Sequence, residues 1–253
     1  MKCTATLALA LIASCCTSGA NAAEIILIAP GGIRAAVEQM IPLFEKRTGH
    51  TVKPAFGPSN SMTVRVMNGD AVDLPILQPP YPGVLASGHV MASSETPLAQ
   101  VAVGVAVRPG VPHPDISTAA GVKNLLLSAK SLAYPDPKRG SAAGISFEET
   151  LKKLGVTDQM QPKIKLTQGG AAAMALLAKG EVDIALTFVS EILTEPGVEL
   201  VGPLPVSIST PTRFSGFVGT HSKVPAAVKE LLIYLSSAEV AQVYRDRGMV
   251  PSR

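Results

Sequence analysis

Four short loops in this 253-residue chain carry residue types suited to holding an anion. They are PGGIR (residues 30–34), GPSNS (57–61), DPKRGS (136–141) and TQGGA (167–171). Each follows an apolar run and opens a helix-like segment. The first backbone N–H groups of a helix lack intrahelical partners and lie at the positive end of its dipole, so they suit an oxyanion. Gly31, Gly32, Gly169 and Gly170 would let a ligand approach the main chain closely. Ser59 and Asn60 add side-chain donors. Arg34 and Arg139 add guanidinium forks that match carboxylates. Arg34 is set against the helix dipole, an arrangement that a bound anion between the two would offset. Taken singly, a glycine pair is a tight turn, Ser59 is a helix cap and a lone cation faces solvent. Four such loops, two in each half of the chain, together indicate an anion site. Tyr81, in the stiff loop QPPYP (78–82), is either a cleft wall or a surface residue.

Other chemistries find no support. There is no G-x-S-x-G elbow, Walker loop or H-E-x-x-H. The four histidines are scattered without metal-ligand spacing. No residue declares itself as a general acid or base. The cysteines are Cys3, Cys15 and Cys16, so the chain beyond them has no disulfide or thiolate site. Neither a metal nor a cofactor is expected. With 22 Lys and Arg against 19 Asp and Glu and no basic run, nucleic acid is not an expected partner. No tryptophan and 4% aromatics argue against a stacking platform.

The elements that would position these loops alternate. An apolar run at 24–29 precedes a helix over 33–46, with Ile33, Val37, Met40, Ile41 and Phe44 on one stripe. Pro42 should bend or split that helix, and Gly49 should end it. A strand over 51–56, a short helix capped at 59–60 and closed by Gly69, and a strand over 74–77 complete a βαβαβ pattern, which predicts a parallel sheet with helices on both faces. Residues 98–107 predict one long strand crossing to a second α/β set. That set has strands at 131–134, 163–166 and 183–189 and helices at 144–154 and 170–179. Residues 206–219 are strand-like and would cross back, and 224–247 predict two amphipathic helices. GDAVD (69–73) and GEVD (180–183) echo each other, as two similar units or as ordinary helix–strand connections.

Residues 1–22 have the pattern of a secretory leader: Lys2, an apolar stretch and a small-residue cleavage site at 20–22. IASC (12–15) is a lipobox-like alternative that would anchor a lipoprotein. The expected division is a leader over 1–22, one lobe from 23–103 plus 211–253, and a second lobe from 104–210. Export to the periplasm follows.

The order of leader, LFEKRTG (43–49), GPSN (57–60), GDAVD (69–73) and GEVD (180–183) resembles the periplasmic molybdate-binding protein family. These are class II solute-binding proteins of ABC importers. The resemblance implies an α/β fold of two lobes, a ligand cleft between them and two hinge crossings. It also implies a small anionic ligand, an ABC permease as partner and a monomer. In that family hydroxyls and backbone N–H groups hold the oxyanion. By position, Ser59 or Asn60 matches the second-loop serine, Gly31 and Gly32 stand where the first-loop serine would be, and Phe188 falls at or near a cleft tyrosine. With the cations Arg34, Lys138 and Arg139, these departures direct the expectation towards a di- or tricarboxylate. A second resemblance is to bacterial aconitate isomerases, exported enzymes related to the same family. It implies interconversion of cis- and trans-aconitate by an allylic proton shift.

Overall fold

The computed structural model describes residues 22–252, so the proposed leader up to residue 21 lies outside the described residues. Strand β1 (Glu24–Pro30) passes through a 3-10 turn, Gly31–Ile33, into helix α1 (Arg34–Thr48). The expected stripe is the buried face: Val37, Met40, Ile41 and Phe44 join Ile33 in the core. Each such side chain contributes about 1.5–3 kcal/mol when fully buried, which fixes the helix against its sheet. Pro42 does not split α1, which runs through it and stops at Gly49 in the left-handed conformation. Strand β2 (Thr51–Gly57), helix α2 (Ser59–Met67), strand β3 (Leu74–Leu77) and helix α3 (Pro82–Ser87) follow.

The expected long strand is two. β4 (Thr96–Val101) and β5 (Val103–Val107) are parted at Ala102 and belong to different sheets. Then come α4 (Ala119–Ser128), β6 (Leu132–Pro135), α5 (Ala142–Leu154), α6 (Thr157–Met160), β7 (Ile164–Thr167) and α7 (Gly170–Ala178). β8 (Ile184–Phe188) turns directly into a one-turn helix, α8 (Val189–Ile192), which the periodicity did not announce. β9 (Glu199–Pro203) was likewise unforeseen, and only residues 212–216 of the returning run form a strand, β10 (Thr212–Gly216). α9 (Pro225–Leu235), α10 (Ala241–Asp246) and β11 (Met249–Pro251) complete the fold.

Two sheets result. One has the order β11-β4-β10-β3-β1-β2 and the other β7-β6-β8-β5-β9. β1 is parallel to β2 and β3 as expected, but β10 runs antiparallel to β3 and β4, so the sheet is mixed rather than parallel. The chain passes between sheets at Ala102 and again between β9 and β10. The echoing motifs have equivalent structural tasks. Asp73 Oδ2 accepts from Ile26 N and Asp183 Oδ2 from Lys130 N, each at 2.8 Å. Each aspartate thereby pins the start of its strand to a neighbouring segment. Among the described residues, no helix is long and apolar enough to cross a membrane.

Candidate functional site

The starts of α1, α2, α5 and α7 converge on one cleft of about 250 Å³ between the two sheets. Its wall includes Gly31, Gly32, Ser59, Ser141, Gly169 and Gly170, drawn from all four loops. The 3-10 turn leading into α1, and α2 and α7 themselves, have no side-chain hydrogen bond capping their first N–H groups. Only α5 is capped, by Ser141 Oγ accepting from Gly144 N at 3.3 Å. Three uncapped helix starts facing one cavity leave backbone donors and positive dipole ends for a ligand. Ser59 is not the cap of α2, since Pro58 holds that position. Its hydroxyl instead donates to Gln78 Oε1, and the buried Gln78 Nε2 has no partner.

The cations expected in the cleft stand elsewhere. Arg34 Nε donates to Glu38 Oε1 at 2.9 Å, the guanidinium lies over the Phe56 ring, and the side chain is 61% exposed. Its position at i, i+4 from Glu38 on the solvent face of α1 explains this, and it lines an adjoining groove rather than the cleft. Arg139 is exposed on the turn Pro137–Arg139 and is not among the cleft-lining residues. Asn60 is at a junction: its N–H donates to Gly140 O at 3.3 Å, tying the start of α2 to the turn after β6. Tyr81 lines a separate cavity of about 620 Å³ with Arg213 and Glu95. Its buried hydroxyl has no well-formed hydrogen bond, and burial raises its pKa.

The ionisable side chain that does line the cleft is Glu191, on α8. Its Oε2 accepts from Thr187 Oγ1 at 2.5 Å. Surrounding protein atoms leave the carboxyl poorly solvated, although the residue keeps some exposure towards the cleft. Burial therefore raises its pKa from the ordinary value, and the bond from Thr187 opposes the shift. The glycines of the first and fourth loops make room for this group. A Cβ at Gly170 would meet Glu191 Oε2 and Thr187 Oγ1 at 2.5 Å each, and one at Gly31 would meet Glu191 Oε1 at 3.3 Å. Gly32 is held differently, against the Phe188 and Phe214 rings. Ser190 Oγ donates to Gly32 O at 2.6 Å, fastening α8 to the first loop across the two halves. Sequence reasoning missed Glu191 because the strand over 183–189 has no break to mark a helix behind it. The one available signal was an acid two residues past the end of that largely apolar stretch.

Among the described residues, no cluster of three or more His, Cys, Asp or Glu is placed to hold a metal. Two sheets with helix starts converging between them define an α/β binding-protein fold. The chain belongs to the bacterial extracellular solute-binding protein family, whose family model matches residues 25–250. It is 29% identical over 232 residues to an aconitate isomerase of a Pseudomonas species, covering 89% of this chain and 87% of that one. It is 25% identical over 234 residues to the molybdate-binding protein ModA of Escherichia coli, covering 90% of each. The periplasmic molybdate-binding protein of Azotobacter vinelandii superposes with a TM-score of 0.74 at 16% identity, covering 90% of this chain and all of that one.

Proposed function

We propose that this solute-binding protein captures a small organic acid anion, a di- or tricarboxylate, in the cleft between its two halves. Gly31, Gly32, Ser59, Gly169 and Gly170 supply the donors, largely from the backbone. The observation that carries the reading is Glu191 beside the Phe188 ring in a wall otherwise built for anions. A fully ionised tetrahedral oxyanion offers a carboxylate only lone pairs and an aromatic ring nothing. An organic acid can place its carboxylates on the N–H groups, its carbon skeleton against Phe188, and a shared proton at Glu191. The cleft volume lies below the roughly 300–1,000 Å³ of drug-sized sites, which suits a ligand of this size.

The test is a thermal-shift screen of di- and tricarboxylates against molybdate, tungstate, sulfate and phosphate. Binding at a hundred times Kd stabilises the native state by about 2.7 kcal/mol. At about 2–4 °C per kcal/mol for a chain of this size, carboxylates should raise Tm by about 5–11 °C. A shift with molybdate or sulfate and none with any carboxylate would refute the proposal.

In this account residues 23–103 plus 211–253 and residues 104–210 form two lobes that close on the ligand, with the crossings at Ala102 and after β9 as hinge. Residues 1–22 direct export to the periplasm, the mature chain is a monomer, and an ABC permease takes the ligand onward. A second reading is favoured by the aconitate isomerase relative and by the acid in the cleft: isomerisation of an unsaturated tricarboxylate on the same fold. Incubation with trans-aconitate, followed by proton NMR for the cis isomer, separates the two.

A further inference from the structure

We propose that Glu191 is the catalytic acid–base residue of an allylic proton shift on an unsaturated polycarboxylate held in the cleft. The proposal rests on the isomerisation reading and names the group that would perform it.

The other polar side chains of the cleft are Ser59, Ser141 and Gln168, all neutral groups poorly suited to lifting a proton from carbon near neutral pH. Glu191 differs in three ways. It is ionisable, it is held in place by Thr187 at 2.5 Å, and its oxygens face both the Gly31 and the Gly170 helix starts. A substrate carboxylate on those N–H groups would bring its neighbouring carbon to the Glu191 carboxyl. Poor solvation raises the proton affinity of that carboxyl, the direction a general base working near neutrality requires. Glu191 also lines the groove on the far side of the wall, with Arg34, Glu38 and Glu195. Its proton can therefore exchange with solvent without passing the substrate.

The step balances without a co-reactant. The Glu191 carboxylate takes a proton from the methylene that joins a carboxylate to the alkene. The C–H electron pair becomes the new C=C bond. The old π pair moves to the far alkene carbon, which takes the proton back from the Glu191 carboxylic acid. During transfer, negative charge spreads onto the substrate carboxylates, where the uncapped N–H groups of the first and fourth loops stabilise it. The double bond has moved one position, and the arms held by the cleft set whether the product is cis or trans. Glu191 ends as it began.

The experiment follows purified protein with trans-aconitate in D₂O by proton NMR. The wild type should yield the cis isomer, with solvent deuterium entering the methylene. Glu191→Gln, nearly isosteric, should lose at least about 100-fold in rate while its thermal shift with trans-aconitate persists. Glu191→Asp, which withdraws the carboxyl by one methylene, should lose at least about 10-fold and serves if the glutamine variant does not fold. If the wild type converts and both variants keep its rate, the role of Glu191 is overturned and isomerisation stands. If the wild type neither converts trans-aconitate nor admits deuterium, isomerisation itself fails, and the role of Glu191 with it.

Discussion

Replacing Gly32 by alanine tests why residue 32 is a glycine. A Cβ at residue 32 would lie 2.7 Å from Phe188 Cδ2 and 3.1 Å from Phe214 Cζ. Carbon atoms prefer roughly 3.5–4.0 Å, so the nearer contact is short by about 1 Å. Neither ring can give way easily, because Phe188 is 3% and Phe214 0% exposed. Overpacking of this kind costs about 1–3 kcal/mol. Restriction of the unfolded chain by alanine offsets about 0.4–1 kcal/mol of that, since Gly32 is not among the positive-φ glycines. A net loss of about 1–2 kcal/mol should lower Tm by about 2–8 °C, measurable by circular dichroism and by urea titration. The discriminating step is a double-mutant cycle with Phe188→Ala. Without the ring, Gly32→Ala should cost nothing or stabilise slightly, giving a coupling energy of about 1–3 kcal/mol. Additivity to within about 0.5 kcal/mol would refute the argument that the Phe188 ring keeps residue 32 a glycine.

Glu191 should leave a signature in the pH dependence of stability. A carboxyl with a higher pKa folded than unfolded contributes stability that is fully present below the unfolded value, near 4.5, and lost as pH rises through the folded one. Denaturant titrations should show this loss in the wild type and a flatter profile in Glu191→Gln; identical profiles would contradict the buried carboxyl. Arg34→Ala should change stability by no more than about 0.5 kcal/mol and leave carboxylate affinity within about twofold, because the side chain is exposed and paired with Glu38. A tenfold loss of affinity in calorimetry would place Arg34 at the ligand after all. Asp73→Ala and Asp183→Ala should each cost about 0.5–1.5 kcal/mol, since each removes the acceptor of one exposed backbone N–H. A marked inequality in urea midpoints would show that the two motifs do not do equivalent work.

The framework was legible where periodicity and punctuation agreed. The stripe from Ile33 to Phe44 with Gly49 behind it identifies α1, and the alanine-rich run before Gly180 identifies α7. Pro42 does not split the helix, because tertiary packing of Met40, Ile41 and Phe44 carries it through that position. The split of residues 98–107 at Ala102 was illegible, since a continuous apolar run looks the same whether it serves one sheet or two. β9 and β11 depend on pairing with β5 and β4, contacts that no local pattern encodes. At the site, the four loops could be found because helix starts are written in glycine and serine. Side-chain direction was not written there. Arg34 turns to Glu38, Asn60 to Gly140, and Tyr81 faces another cavity. Glu191 enters the cleft only because β8 stops one residue before α8 begins, a junction set by packing against Gly31 and Gly170.

The central claim is that a small organic anion sits on the uncapped helix starts beside Glu191. Amide hydrogen exchange with and without saturating trans-aconitate, read by mass spectrometry at peptide resolution, tests it most directly. Protection should rise in peptides covering residues 30–35, 58–62 and 168–173, together with 187–192. Protection confined to peptides covering residues 81–87 and 210–215, around Tyr81 and Arg213, would contradict the account.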